Sequence, residues 1–265
     1  MRGNLPGSEK AEKKRNSEES ELLINREHTC PACGKVFSSG SPLMSKVIKK
    51  GNDADLRPVY SNLDVLKYQI VECPSCGYAD TEKDFQKALS VEIKAYKAFG
   101  LNTNADAPLT EMERDYDSAY RHYKSALRCL TIRKSKKGKR GYMFLLTAWL
   151  LRGWREYKET AGESVSENDI MSLKEESKML RYAVESFKEA QLTEDFPICG
   201  INESTFYYLM GVLSFRLDDL NGASAYTLKA LQAKELKQVY RVKAETLIDD
   251  IRKAKRLGQG GTDEK

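Results

Sequence analysis

CPACG, residues 30–34, returns as CPSCG, residues 73–77, with thirty-nine residues between Cys33 and Cys73. Two cysteines separated by two residues place both sulfurs on one ion from a single tight turn, and two such turns complete a tetrahedral set of four. Proline after the first cysteine stiffens the turn. Glycine after the second allows the positive φ that lets backbone N–H groups point at sulfur. Cys30, Cys33, Cys73 and Cys76 are therefore the predicted ligands of one structural Zn2+ ion, a closed site that leaves no coordination position for a substrate. A redox dithiol is the other reading of a CxxC pair, because such thiols can have lowered pKa values. His28, two residues before Cys30, is left out of the ligand set, since a histidine so close would strain the turn.

Between the two turns, VLKYQIVE (65–72) sets Leu66, Tyr68 and Ile70 against Lys67 and Gln69, an alternation that predicts a half-buried strand running into the second turn. MSKVIKK (44–50) is a weaker strand signal. The layout predicts a small β zinc ribbon over residues 28–83, too small to bury a sufficient core without metal.

After residue 83 the hydrophobic period changes. Apolar residues recur at steps of three and four over 112–131, and similar patterns cover 84–99, 141–158, 173–192, 203–217, 221–233 and 237–256. The fold class expected is mainly α, with the ribbon followed by a helical domain over 84–256. Ala119, Tyr123 and Ala126 share the pattern A-x3-aromatic-x2-A with Ala183, Phe187 and Ala190, and Ala223, Thr227 and Ala230 keep both alanines at the same offsets. With Gly211 twelve residues before Ala223, the stretch TFYYLMGVLSFRLDDLNGASAYTLKAL resembles a tetratricopeptide unit. In the earlier copy Gly153 would match Gly211, yet thirty residues separate it from Ala183, so the thirty-four-residue period is broken by an insertion around TAGESVSEND. The resemblance implies a concave groove for a protein partner, lined by Tyr208, Phe215 and Arg216 in the last unit and by Trp154 and Tyr157 in the earlier one. The alternative is that several of these aromatics are core.

The chain of 265 residues carries 31% charged residues and a net charge of +5. Its longest apolar run, YMFLLTAWLL (142–151), is about half of a membrane span. The polar stretches 1–27 and 257–265 read as disordered tails, and a cytoplasmic location is expected because no apolar leader segment stands at the N-terminus. Free or metal-bound thiols fit that compartment. Cys129 falls on an apolar helix face and reads as core; Cys199 sits in a turn that Asn202 follows as a helix cap.

From Ser118 to Arg155 there are eleven Lys or Arg and no acidic residue. Arg121, Lys124, Arg128, Arg133, Lys134, Lys136, Lys137, Lys139 and Arg140 form the densest part, with RKSKKGKR (133–140) expected as a loop. Cations on phosphates release counterions, so nucleic acid is the alternative partner, with acidic proteins or anionic lipid also served by such charge. No aromatic residue interleaves that loop, which weighs against stacking on single strands.

No nucleotide-binding loop, nucleophile elbow or zinc-protease motif is present, and the chain holds two histidines, His28 and His122. An enzyme is not expected. The paired CPxCG turns, the intervening LRPVY (56–60), the junction VECPSCGYADTEKDF and the later ICGINESTFYYLMG together resemble a bacterial family known as domain of unknown function 2225, over residues 28–233. The usual Asn-Pro before the second turn is replaced here by NLDVLKY. The resemblance implies a zinc ribbon with helical repeats and no established activity. A non-enzymatic scaffold or adaptor is the expected function; nucleic-acid binding is the alternative, and a thiol and zinc redox sensor stands third.

Overall fold

The computed structural model describes residues 19–100 and 110–260. The fold is mainly α, with seven α-helices among the described residues and a small N-terminal β region. By contacts the chain forms two compact units, one of residues 1–51 and 58–135 and one of residues 52–57 and 136–265. The division falls at Ser135, fifty-two residues beyond the boundary expected at residue 83, because the second helix packs on the strands and the first packs on the second.

In the first unit, β1 (Leu23–Thr29) pairs antiparallel with β2 (Val36–Pro42), from Leu23 opposite Pro42 to Thr29 opposite Val36. β5 (Ile70–Glu72) pairs antiparallel with β6 (Ala79–Thr81), and β3 (Lys49–Asn52) with β4 (Pro58–Tyr60). β7 (Thr110–Glu111) adds to β2 in parallel. Each CPxCG turn thus joins the two strands of one antiparallel pair, which aims both sulfurs of the turn the same way.

Helix α1 spans Ser90–Ala98 and α2 spans Tyr116–Ile132. The Asp115 carboxylate accepts from the Ser118 amide and starts α2, satisfying one of the orphan donors of its first turn. Its buried stripe of Ala119, Tyr123, Ala126, Cys129 and Leu130 lies against β5, β6 and the 3-10 turn Val65–Tyr68. The first copy of the alanine pattern is therefore not half of a helical pair: it packs on strands, and the Tyr123 hydroxyl donates to the Leu66 carbonyl at 2.9 Å.

Several expected elements shift. VLKYQIVE is a strand only from Ile70; Val65–Tyr68 form the 3-10 turn, capped by Asp64, whose side chain accepts from the Leu66 amide. The alternation fails there because Leu66, Lys67 and Tyr68 are all buried, Lys67 through its aliphatic stem with the amine held by Glu19. MSKVIKK contributes only its last residues to β3. β1 begins at Leu23, inside the stretch expected as a tail, because pairing with β2 buries Leu23 and His28. The final helix likewise runs through Gly260. The rest of the expected tails, residues 1–18 and 261–265, lies outside the described residues.

The second unit is built from α3 (Lys137–Thr160), α4 (Leu173–Thr193), α5 (Glu203–Arg216), α6 (Leu220–Gln232) and α7 (Gln238–Gly260). α3 packs on α4 and α5 on α6, while α7 covers α5 and α6. Side chains of Ser172, Asn202 and Asp219 cap the starts of α4, α5 and α6, the Asn202 cap as the sequence implied. Both helical pairs close on a glycine. A Cβ on Gly211 would stand 2.4 Å from Thr227 Oγ1, and one on Gly141 would stand 2.8 Å from the Phe187 ring. Gly141, not Gly153, is therefore the counterpart of Gly211. Forty-two residues separate Gly141 from Ala183 and twelve separate Gly211 from Ala223, so the first pair is the second with thirty residues added, seen as longer helices and the connection 161–172.

Candidate metal centre

Four sulfurs meet where the two turns face each other. Cys30 Sγ lies 3.6 Å from Cys76 Sγ and Cys33 Sγ 3.6 Å from Cys73 Sγ, and all four sulfurs fall within 4.8 Å of one another. Four thiolates at a zinc bond length of ~2.3 Å from one tetrahedral ion would stand ~3.8 Å apart, so the cluster is nearly at coordination spacing. The turns share one hydrogen-bond pattern. The Gly34 amide donates to the Cys30 carbonyl and Gly77 to Cys73, both at 2.8 Å, and the cysteine amides donate forward to Lys35 and Tyr78. Gly34 and Gly77 take φ of +78° and +72°, the left-handed conformation that glycine enters at no steric cost.

The donor set also asks for a cation. Cys73 is held down to about 2 by hydrogen bonds from Cys30 and Cys76 and by the Cys76 and Ser75 amides. Cys30 is pushed up to about 12, chiefly by its neighbour Cys73, and Cys76 is pushed up by Cys30 and Cys73. Four clustered thiols thus share few negative charges between them, and a divalent ion is what lets all four ionise. The residues present therefore fit a metal ion. Such an ion supplies charge and a rigid tetrahedral link; with all four positions taken by sulfur it offers no open position.

The surroundings hold the second turn in place. The Tyr96 hydroxyl on α1 donates to the Cys76 carbonyl at 2.9 Å. Cys129 on α2 accepts from the Ala79 amide at 3.3 Å and contacts the Gly77 carbonyl, and burial pushes its thiol up, as suits a core cysteine. Edge-to-face contacts link Phe37, Phe85, Tyr78 and Tyr96 beside the sulfurs. His28 joins this aromatic group with Nε2 3.0 Å from Ser39 Oγ, and the group of four sulfurs is complete without it. His122 is nearly buried between Glu72 and Glu111 at 3.7 and 3.6 Å, and burial, with Arg114, lowers it to about 4.

The expected basic patch is only partly a surface. Arg133 is fully buried, paired with Asp80 at 2.7 Å and stacked over Tyr78, so it leaves the patch: a carboxylate buried behind the second turn needs its charge. RKSKKGKR is a loop only over 133–136, since α3 starts at Lys137. Lys137 pairs with Glu189, and Glu194 accepts from the Gly138 amide, so acidic groups from α4 and its end offset the cations at this helix start. Arg121, Lys124 and Arg128 face outward from α2, while Lys134 and Lys136 are exposed and Lys139 and Arg140 half-buried.

The groove residues divide as well. Tyr208 is buried in the cluster with Val212, Ala223, Leu247 and Ile251, and Trp154 is buried on α3, so neither lines an open surface. Tyr157 and Phe215 are half-buried and Arg216 is exposed. Tyr208 and Arg216 nevertheless converge, on residues 52–57 of the same unit. The Tyr208 hydroxyl donates to the Ala54 carbonyl at 2.8 Å and Arg216 Nε approaches Asp55 at 3.5 Å.

Around Asp55 lies a cluster the sequence did not single out. Arg152 forks onto both Asp55 oxygens at 3.1 and 2.6 Å, reaches Asp53 at 3.0 Å and donates Nε to Glu176 at 2.8 Å. Arg155 bonds the other Glu176 oxygen at 2.6 Å, and Arg57 bridges Asp53 and Glu156. Burial pushes the Asp55 carboxyl up, but Arg152 and Arg216 outweigh it and hold Asp55 below the usual carboxylate range. The available signal was LRPVY, whose Leu56 and Arg57 belong to this cluster.

No helix among the described residues is long and apolar enough to cross a membrane. No curated protein matches the chain, and no solved structure matches it. A match over residues 23–257 to the family described as "uncharacterized protein conserved in bacteria" covers the metal cluster and both units' described helices almost entirely, and the chain belongs to that family, DUF2225.

Proposed function

We propose that the protein is a zinc-stapled, non-enzymatic adaptor that binds a protein partner through tetratricopeptide-like helical pairs. The metal is zinc: four thiolates at tetrahedral spacing are soft ligands that favour it in a reducing cytoplasm, and the saturated site serves structure. The observation that carries the adaptor reading is the pair of antiparallel helical pairs, α3 with α4 and α5 with α6, each closed on a glycine as in stacked helical repeats. Arg152, Arg216 and Tyr208 hold a carboxylate and a backbone carbonyl of the turn between β3 and β4, so this helical face can bind the polar groups of another segment.

The test is affinity purification of the full chain from its native cell, split into nuclease-treated and untreated halves. Partners that survive nuclease support the adaptor. Recovery that depends on nucleic acid favours the second reading, whose support is the outward row of Arg121, Lys124 and Arg128 on α2. That reading also requires binding that falls steeply with salt and with charge reversal at Lys136 and Lys139.

A further inference from the structure

The outward side of α2 carries more than a row of charges. Its exposed positions from Arg121 onward are Arg121, Lys124, Arg128 and Thr131, spaced by three and four, with Lys134 just beyond the helix end. No acidic residue stands in that stretch of sequence. At a rise of 1.5 Å per residue, Arg121 to Arg128 covers about 10 Å of one helix face. Asp117 pairs with Arg121 at 3.3 Å, but both side chains are more than half exposed, so water and salt screen the pair and leave the guanidinium available. Lys94 and Lys97 on α1 add exposed cations to the same unit.

Two aromatic rings join this row, one from each helix. Phe99, the C-cap of α1, is 60% exposed, and the Arg128 guanidinium lies 5.6 Å from its ring centroid. One turn earlier on α2, the Lys124 amine lies 4.9 Å from the centroid of the Tyr120 ring. The run RKSKKGKR has no aromatic residue among its cations, so sequence spacing hid the combination; the packing of α1 on α2 assembles it. A ring with a cation over it and more than half of its surface open is a platform for a further flat group. A single strand of nucleic acid supplies flat bases and a phosphate with each one, so it engages rings and cations together. A duplex offers the phosphates but hides the faces of its bases in the stack. An acidic peptide uses the cations and leaves the rings idle.

We infer that the outer face of α1 and α2 binds single-stranded nucleic acid, with bases stacked on Phe99 and Tyr120 and backbone phosphates on Arg121, Lys124 and Arg128. Every base has a face to stack, so sequence preference is slight. This inference rests on the nucleic-acid reading and specifies its strand state and mode of contact.

The experiment titrates the full-length, zinc-loaded chain against fluorescein-labelled oligothymidylate, a labelled blunt DNA duplex of the same length, and labelled vesicles containing phosphatidylglycerol, each at several salt concentrations. The single strand should bind at least tenfold more tightly than the duplex at matched salt, with affinity falling steeply as salt rises. Phe99→Ala should weaken single-strand binding at least fivefold and leave duplex binding unchanged, whereas Arg128→Glu should weaken both. Both side chains lie at the surface, and unchanged zinc content and circular dichroism verify the folding of each variant. Should Phe99→Ala fail to fold, Phe99→Leu, which keeps the apolar bulk and loses the flat face, takes its place. Single-strand binding that the loss of the ring leaves unchanged, or a duplex bound as tightly as the single strand, overturns the inference and leaves the nucleic-acid reading standing. Binding to the vesicles alone, or to none of the three, removes both.

Discussion

The two units solve the same electrostatic problem in opposite ways. Around the turns of the first, four sulfurs gather within 4.8 Å of one another, a set that could hold a metal ion and take its neutralising charge from outside the chain. In the second, Asp53, Asp55, Glu156 and Glu176 meet Arg57, Arg152, Arg155 and Arg216, four charges of each sign supplied by the chain. The difference follows from what each backbone can bury. Strands of two to seven residues enclose little apolar volume, so an external link adds what packing does not supply. Helices of thirteen to twenty-four residues bury whole faces and can carry guanidinium groups inward on long side chains. The first unit is thus conditional on its surroundings, and the second on the integrity of its own sequence.

The largest test of this contrast is metal removal. Binding of a structural zinc ion is worth about 10–16 kcal/mol, comparable to the whole stability of a domain. A chelator, or Cys73→Ser, should strip hydrogen-exchange protection from residues 70–81 and leave residues 203–216 protected. Persistent protection at 70–81 would show that the aromatic cluster alone suffices and would break the comparison.

Next in size is Arg152→Ala, which leaves Asp55 and Glu176 buried without their main partner and should cost about 3–5 kcal/mol. The denaturant midpoint of the helical unit, read by fluorescence of Trp149 and Trp154, should fall while metal content stays at one ion per chain. A loss under ~1 kcal/mol would mean that water replaces the guanidinium and the network is not truly buried.

Gly211→Ala should cost about 1–3 kcal/mol, because the added Cβ meets a fully buried threonine. Combined with Thr227→Ala, which removes the nearest atom, the loss should be smaller than the sum of the two changes. Additive losses would show that the two helices adjust without that contact.

The smallest effect is pH dependence from His122. Its folded pKa is lowered to about 4 from 6.5, so the unfolded chain binds more protons between those values and stability falls as pH drops through the window. Between pH 7 and 5 this should amount to about 1–2 kcal/mol. The measurement is the pH profile of unfolding for the unaltered chain against His122→Gln. Because thiolates also release metal on acidification, the difference between the two profiles carries the answer, and identical profiles would assign the whole effect to the metal site.

The amino-acid sequence by itself determined what depends on near neighbours. The two CPxCG turns name all four ligands because a knuckle is closed by hydrogen bonds within six residues, and each repeats the same pattern wherever it lies. The helices of the second unit were likewise legible from a period of 3.6 and from caps such as Asn202. Tertiary structure alone decided the rest. A VLKY stretch that alternates like a strand became a 3-10 turn because burial on several sides erased the pattern. Arg133 and Arg152 look alike as cations in a basic run, yet each is buried against carboxylates fifty or more residues away, Asp80 and Asp55. Gly141 rather than Gly153 became the contact point because close approach is set by the facing helix and its Phe187. Local hydrogen bonding is written in residue spacing, whereas the partner of a long charged side chain or of a missing Cβ exists only once distant segments have packed.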